Sequence, residues 1–226
     1  MSTELRENNQ SLLSDQQIED ALIKGDIIIS PYNSEQLKTS SYDVTLGSNY
    51  FKQQTQPADF VHFPWSRQSV DDLWGKPLKA DNASDLLDVE KYKGLKEDDQ
   101  IIILKPGELI LGHTQEFIGG KNGITTMMKA RSSMGRNGIS VCKCAGWGDV
   151  GYTNRWTMEI QNGLEYPIIL LVDEPIAQIT FFRVGNILGS DYAQTGKYQN
   201  TTNQEDLEKN WNPYMMIPQL WKDLET

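Results

Sequence analysis

IIILKPGELILGHTQEFIGGKNGITTMMKA, residues 101–130, reads as one strand after another. Ile101–Leu104 is a short apolar run, and Lys105-Pro106-Gly107 turns the chain. Glu108–Ile118 is a second strand, which Gly119-Gly120 is expected to break before a third, Ile124–Ala130. The pattern continues through Ile139–Ala145, Arg155–Asn162, Pro167–Val172 and Ile176–Val184, with turn residues between. No alternation of strands with helices appears, and neither does a glycine-rich dinucleotide loop, a P-loop or a nucleophile elbow. The expectation is a mainly β domain, sandwich or barrel.

Upstream, Ser14 and Gln17 form a capping box, Ile18, Ala21 and Leu22 a helical stripe, and Gly25 a helix stop. Ile27-Ile28-Ile29 is a short strand ended by Pro31. In SYDVTLGSNYF, residues 41–51, Tyr42, Val44 and Leu46 share one face, and Gly47 turns the chain. One domain is expected over 1–226, with a polar tail at 1–13 and an insertion-like region at 52–100 holding one short helix near 83–92. The C-terminal segment 186–226, spiked with Tyr192, Tyr198, Trp211, Tyr214 and Trp221, is expected to pack over the body or a neighbouring subunit.

The net charge of −10 argues against nucleic acid as the main partner, since phosphate backbones recruit basic surfaces. It leaves room for a small phosphorylated ligand held by a few clustered cations. No apolar run approaches the roughly 18 residues of a membrane span, and the start MSTELRENNQ lacks a signal peptide's apolar stretch, so a cytoplasmic location is expected. Cys142 and Cys144, with His62 and His113, offer no set of four zinc ligands at usual spacing. The two cysteines read as buried fillers on one face of a strand.

Four segments could carry chemistry. In Arg131-Ser132-Ser133-Met134-Gly135-Arg136, two arginines flank hydroxyls at the start of a helical turn, where free amides and guanidinium groups suit phosphate. The same run also reads as a surface turn with an ion pair. In residues 145–152, AGWGDVGY, Asp149 could accept a sugar hydroxyl and Tyr152 could stack on a ring, or the segment is a tight turn with aromatic packing. In residues 155–162, RWTMEIQN, period two puts Trp156, Met158 and Ile160 in the core and Arg155, Thr157, Glu159 and Gln161 on the other face. Glu159 is then a partly buried general base or an exposed carboxylate. Lys197, between Tyr192 and Tyr198, could close over a ligand or belong to a loose basic tail.

Together and in this order, the segments resemble the dCTP deaminase family of the dCTP deaminase/dUTPase superfamily. RSSMGRNG, GDVGY and TMEIQN resemble that family's RSSLARLG, IDPGW and LE-x-x-N motifs without a gap over 131–162. LSDQQIEDALIKGDIII, SYDVTLG, LKPGELILGHTQEFI, PIAQITFFRV and KYQN resemble its other segments, so the likeness covers about four-fifths of the chain. The resemblance implies a dUTPase-like fold, a β-clip or distorted jelly-roll barrel with an N-terminal helix. It also implies homotrimers, possibly hexamers, with sites at subunit interfaces.

Carried residue by residue, the resemblance makes Glu159 the catalytic carboxylate, with Ser132 and Arg136 holding water and substrate. Arg131, Ser133, Met134 and Gly135 complete the phosphate run. Ala145 and Asp149 face cytosine and deoxyribose, beside Tyr152, Thr157 and Met158, while Tyr192 and Lys197 close on the triphosphate. Zinc nucleobase deaminases carry an H-x-E…P-C-x-x-C signature that this sequence lacks. The implied reaction is therefore a zinc-free deamination of dCTP to dUTP, with Mg²⁺ carried by the phosphates. A dUTPase or a bifunctional enzyme yielding dUMP is the nearest alternative, and a non-catalytic nucleotide binder a further one.

Overall fold

A computed structural model describes residues 11–190, 192, 196–199, 201 and 203–224, so the first ten residues of the expected tail lie outside it. Helix α1 is Asp15–Lys24, with the capping box of Ser14 and Gln17 formed and Gly25 at a left-handed φ of 77°. Strands follow as β1 (Ile27–Ser30), β2 (Leu37–Lys38), β3 (Ser41–Thr45) and β4 (Asn49–Lys52). Next come α2 (Arg67–Trp74), β5 (Leu78–Lys79), β6 (Asp81–Asn82) and α3 (Ala83–Leu86). The body continues with β7 (Gln100–Leu104), β8 (Leu109–Gly120), β9 (Ile124–Ala130), α4 (Ser132–Arg136), β10 (Ile139–Val141) and β11 (Trp147–Gly148). It ends with β12 (Thr153–Asn162), β13 (Ile168–Leu171), β14 (Pro175–Arg183) and α5 (Gln204–Asn210).

The strands form three antiparallel sheets. One has the order β10-β12-β8-β4-β5, with β1 also on β8; the second is β11-β9-β14-β3-β2; the third is β13-β7-β6. The two larger sheets share one core. Tyr42, Val44, Ile179 and Phe181 of the second meet Ile110, Ile118, Trp156, Met158 and Ile160 of the first. Alternation on β3 and β12 thus fixes which face is buried, since a one-residue slip would turn every side chain over. A fully buried Ile or Leu contributes about 1.5–3 kcal/mol by removing apolar surface from water.

Several expectations are corrected. The expected tail is anchored at its end: Leu13 is fully buried and its N–H donates to the Phe181 carbonyl at 2.9 Å. Gly119-Gly120 does not break β8 but pairs with Ile28 and Ile27 of β1. A Cβ at either glycine would collide with backbone of its neighbours, so the glycines permit close strand approach there. The strand at 139–145 stops at Val141, because Cys142 and Lys143 take left-handed φ values of 60° and 32°. The two thiols therefore part company: Cys142 is buried and Cys144 exposed. The helix near 83–92 is a four-residue turn plus a 3-10 turn at Val89–Lys91, and the longer helix of the region is α2.

Helix α2 and the C-terminal segment build a second apolar cluster on the outer side of the first sheet. Val70 and Trp74, one turn apart, pack with Phe51 of β4, Leu111 of β8, Met216 and Ile217. Residues 52–100 and 211–221 thus meet over the sheet that carries β12.

Candidate active site

Strand β12 supplies the centre of the site. With Trp156, Met158 and Ile160 in the core, Thr157 and Glu159 face a cavity of about 310 Å³. Thr157 and Glu159 line it together with Ala145, Asp149, Tyr152 and Tyr192. Glu159 lies opposite Leu111 in the antiparallel ladder, so the carboxylate emerges beside an apolar neighbour. Burial raises the Glu159 carboxyl above the ordinary glutamate range, against smaller opposing effects of a backbone hydrogen bond and the Lys143 charge. Its Oε2 is buried without a hydrogen-bond partner. An orphaned carboxylate oxygen is costly unless something enters to bond it.

The loop 145–152 brings the other polar group. Tyr152 N–H donates to the Asp149 carbonyl at 3.0 Å, closing a turn that leaves the Asp149 side chain exposed at the cavity. Tyr152 packs edge-on to Trp156 and Tyr192, with centroids 5.2 and 5.1 Å apart. Its hydroxyl pKa is pushed up by burial, so the ring is a neutral wall.

The tail is tied to this loop. Gln199 accepts from Thr153 N–H at 2.8 Å and donates to the Gly151 carbonyl at 3.1 Å, and Asn154 donates to the Tyr198 carbonyl at 3.0 Å. These bonds set Tyr198 against the cavity, while Lys197 stands in an adjoining pocket, paired with Asp223.

Not all expected site residues gather here. The Met158 side chain belongs to the core. Ser132, Ser133, Gly135 and Arg136 are exposed on α4, with Met134 packed against the core, and none of them lines the cavity. Arg131 turns elsewhere, its Nε 3.5 Å from Asp43 and its Nη1 donating to the Pro175 carbonyl at 3.2 Å. One chain therefore presents the carboxylate cavity and the Arg131–Arg136 run on separate surfaces. Among the described residues, no three His, Cys, Asp or Glu side chains cluster to hold a metal ion. No helix among them is long and apolar enough to cross a membrane.

Sequence reasoning missed several lining residues: Leu111, Trp147, Asn154, Arg155, Met215, Met216 and Pro218. Arg155 could have been found, since it shares the Glu159 face of β12. Its guanidinium lies 5.1 Å from the Phe117 ring centroid and 4.8 Å from that of Trp211. No signal points to Met215 and Met216, which reach the cavity from about 55 residues downstream of Glu159.

A family model described as dCTP deaminase-like matches residues 12–184. The chain is 30% identical over 192 residues to "dCTP deaminase, dUMP-forming" of Nanoarchaeum equitans, covering 82% of this chain and 90% of that protein. It is 32% identical over 194 residues to the protein of the same name from Methanopyrus kandleri, covering 83% and 90%. Among solved structures it is similar to 2′-deoxycytidine 5′-triphosphate deaminase from Agrobacterium tumefaciens, with a TM-score of 0.54 and 18% identity. That match covers 80% of this chain and 50% of the other, so this chain spans about half of that one's length, and the likeness is one of fold.

Proposed function

The chain belongs to the dCTP deaminase-like family, and from that premise we propose that it deaminates dCTP and carries the product on to dUMP. The observation that carries the reading is the buried, unpartnered oxygen of Glu159 in a nucleoside-sized cavity. Glu159 takes a proton from a water molecule, and the resulting hydroxide adds to C4 of the cytosine. The carboxyl group gives that proton to N3, then takes the second proton from the new C4 hydroxyl and passes it to the 4-amino group; C4=O forms as the C4–N bond breaks and ammonia leaves. A carboxyl raised toward neutrality both accepts and returns a proton readily. Asp149 holds the deoxyribose 3′-hydroxyl and, in the second step, is the base for water attacking the α-phosphate, which releases pyrophosphate.

On the residues alone, dUTP is the favoured product. The relatives' names carry "dUMP-forming", and this supports the two-step reading instead. Mg²⁺ enters with the triphosphate and neutralises its charge. The exposed Ser132 and Arg136 reach a substrate only across a subunit boundary in this reading, which fits the homotrimer with shared sites that the family resemblance implies. A cytoplasmic location is proposed with it.

Ion-exchange analysis of products from purified protein, dCTP and Mg²⁺ tests the proposal. The expected products are dUMP, ammonia and pyrophosphate. Accumulation of dUTP reduces the enzyme to a deaminase alone; intact dCTP with cleavage of added dUTP contradicts the deamination reading.

A further inference from the structure

Beside its aromatic lining, the Glu159 cavity has an aliphatic wall, and the C-terminal segment provides most of it. Met215, Met216 and Pro218 line the cavity, beyond the end of the family match at residue 184. They stand beside Leu111, which lies opposite Glu159 in the ladder and packs with Met216 in the second apolar cluster. The segment is held on both sides. Trp211 sits 4.8 Å from the Arg155 guanidinium and 4.6 Å from the His113 ring, Tyr214 packs edge-on to Phe51, and Gln219 N–H donates to the Tyr198 hydroxyl at 3.1 Å.

Cytosine has two unlike edges. O2, N3 and the 4-amino group need polar partners, and burying them against methionine and proline would leave them unpaired. The C5–C6 edge carries only C–H groups. C5 is bonded to C4, the atom that the Glu159-activated water attacks, so a wall adjoining Glu159 meets this edge at no polar cost.

Resting on the deaminase reading, we propose that the wall of Leu111, Met215, Met216 and Pro218 is the subsite for the C5 edge of the pyrimidine, and that Met215 determines which 5-substituted cytosine nucleotides the site accepts. Thioether chains adapt their shape to small differences in a neighbour. A single methyl group at C5 is the smallest test of such a wall, since one methylene in an apolar pocket changes selectivity tenfold or more.

The experiment measures kcat/KM of the full chain for deamination of dCTP and 5-methyl-dCTP. Met215 is half-buried and stands outside the second cluster, so it can be changed without opening that core. Met215→Ala widens the subsite and raises the ratio of 5-methyl-dCTP to dCTP activity by about tenfold; Met215→Phe narrows it and lowers the ratio by a similar factor. An unchanged ratio in both variants, with the parent active on dCTP, overturns the wall assignment and leaves the deaminase reading standing. A parent that deaminates neither nucleotide overturns both.

Discussion

At the scale of single residues, buried titratable groups give predictions of opposite sign. His113 is fully buried, with Nδ1 donating to the Thr114 carbonyl at 2.8 Å and Nε2 accepting from Asn49 N–H at 3.3 Å. Burial holds its pKa down at about 4, against an ordinary 6.5. The unfolded chain therefore takes up a proton below pH 6.5 that the folded chain refuses until about 4, and stability falls across that window by roughly 3 kcal/mol. Glu116 and Glu159 work the other way, since burial raises their folded pKa and favours the folded state as they gain protons. His113 by itself lowers the melting temperature as the pH falls below 6.5, and the two glutamates oppose that drop. His113→Asn should flatten that drop, and an equal drop in the variant would remove His113 as its cause.

The pH dependence of catalysis belongs to the same scale. The acid limb of kcat/KM should lie above the ordinary glutamate pKa, because desolvation disfavours the Glu159 carboxylate. A limb at the value of a solvated glutamate would show that another group sets it.

At the scale of elements, the close approach of β3, β4 and β8 is the most demanding feature. Gly47, between β3 and β4, donates its N–H to the His113 carbonyl at 2.8 Å, and a Cβ there would run into the imidazole ring. Gly47→Ala should lower stability by about 1–3 kcal/mol or block folding, measured by urea denaturation. At the other end of the range, Ser14→Ala removes one side of a surface capping box and should cost about 1 kcal/mol.

These elements differ in how plainly the sequence announces them. The box at Ser14 and Gln17 and the alternation on β3 and β12 are local signals, and they place α1 and the Glu159 face directly. Helix α2 escapes because only Val70 and Trp74 of its eight residues are fully in the interior, with Leu73 packing at the edge, too short a stripe to show a period. The strand through Cys142 fails because two successive left-handed residues, neither of them glycine, bend it at a point no composition rule marks. In the site, Glu159, Asp149 and Tyr152 are legible through the motifs, whereas Met215 and Met216 reach it only by long-range folding of the C-terminal segment.

At the scale of the whole molecule, the C-terminal segment is part of the body. Removing residues 211–226 would uncover Phe51, Leu111 and Trp74, so the truncated chain should melt at lower temperature and aggregate, read by light scattering during a thermal ramp. The separation of α4 from the cavity makes a further prediction about assembly. Glu159→Gln and Arg136→Ala should each be inactive alone. Mixed after joint refolding, they should regain activity, because some shared sites then receive both intact halves. Failure to complement would place both groups in one subunit's site.

The central claim is that Glu159 performs the chemistry at C4 while the rest of the cavity binds the nucleotide. Glu159→Gln tests it most directly, with dCTP affinity measured by titration calorimetry and ammonia release measured on the same preparation. The account predicts that ammonia release falls by about a hundredfold or more while dCTP affinity stays close to that of the parent. Ammonia release at the parent's rate would contradict it.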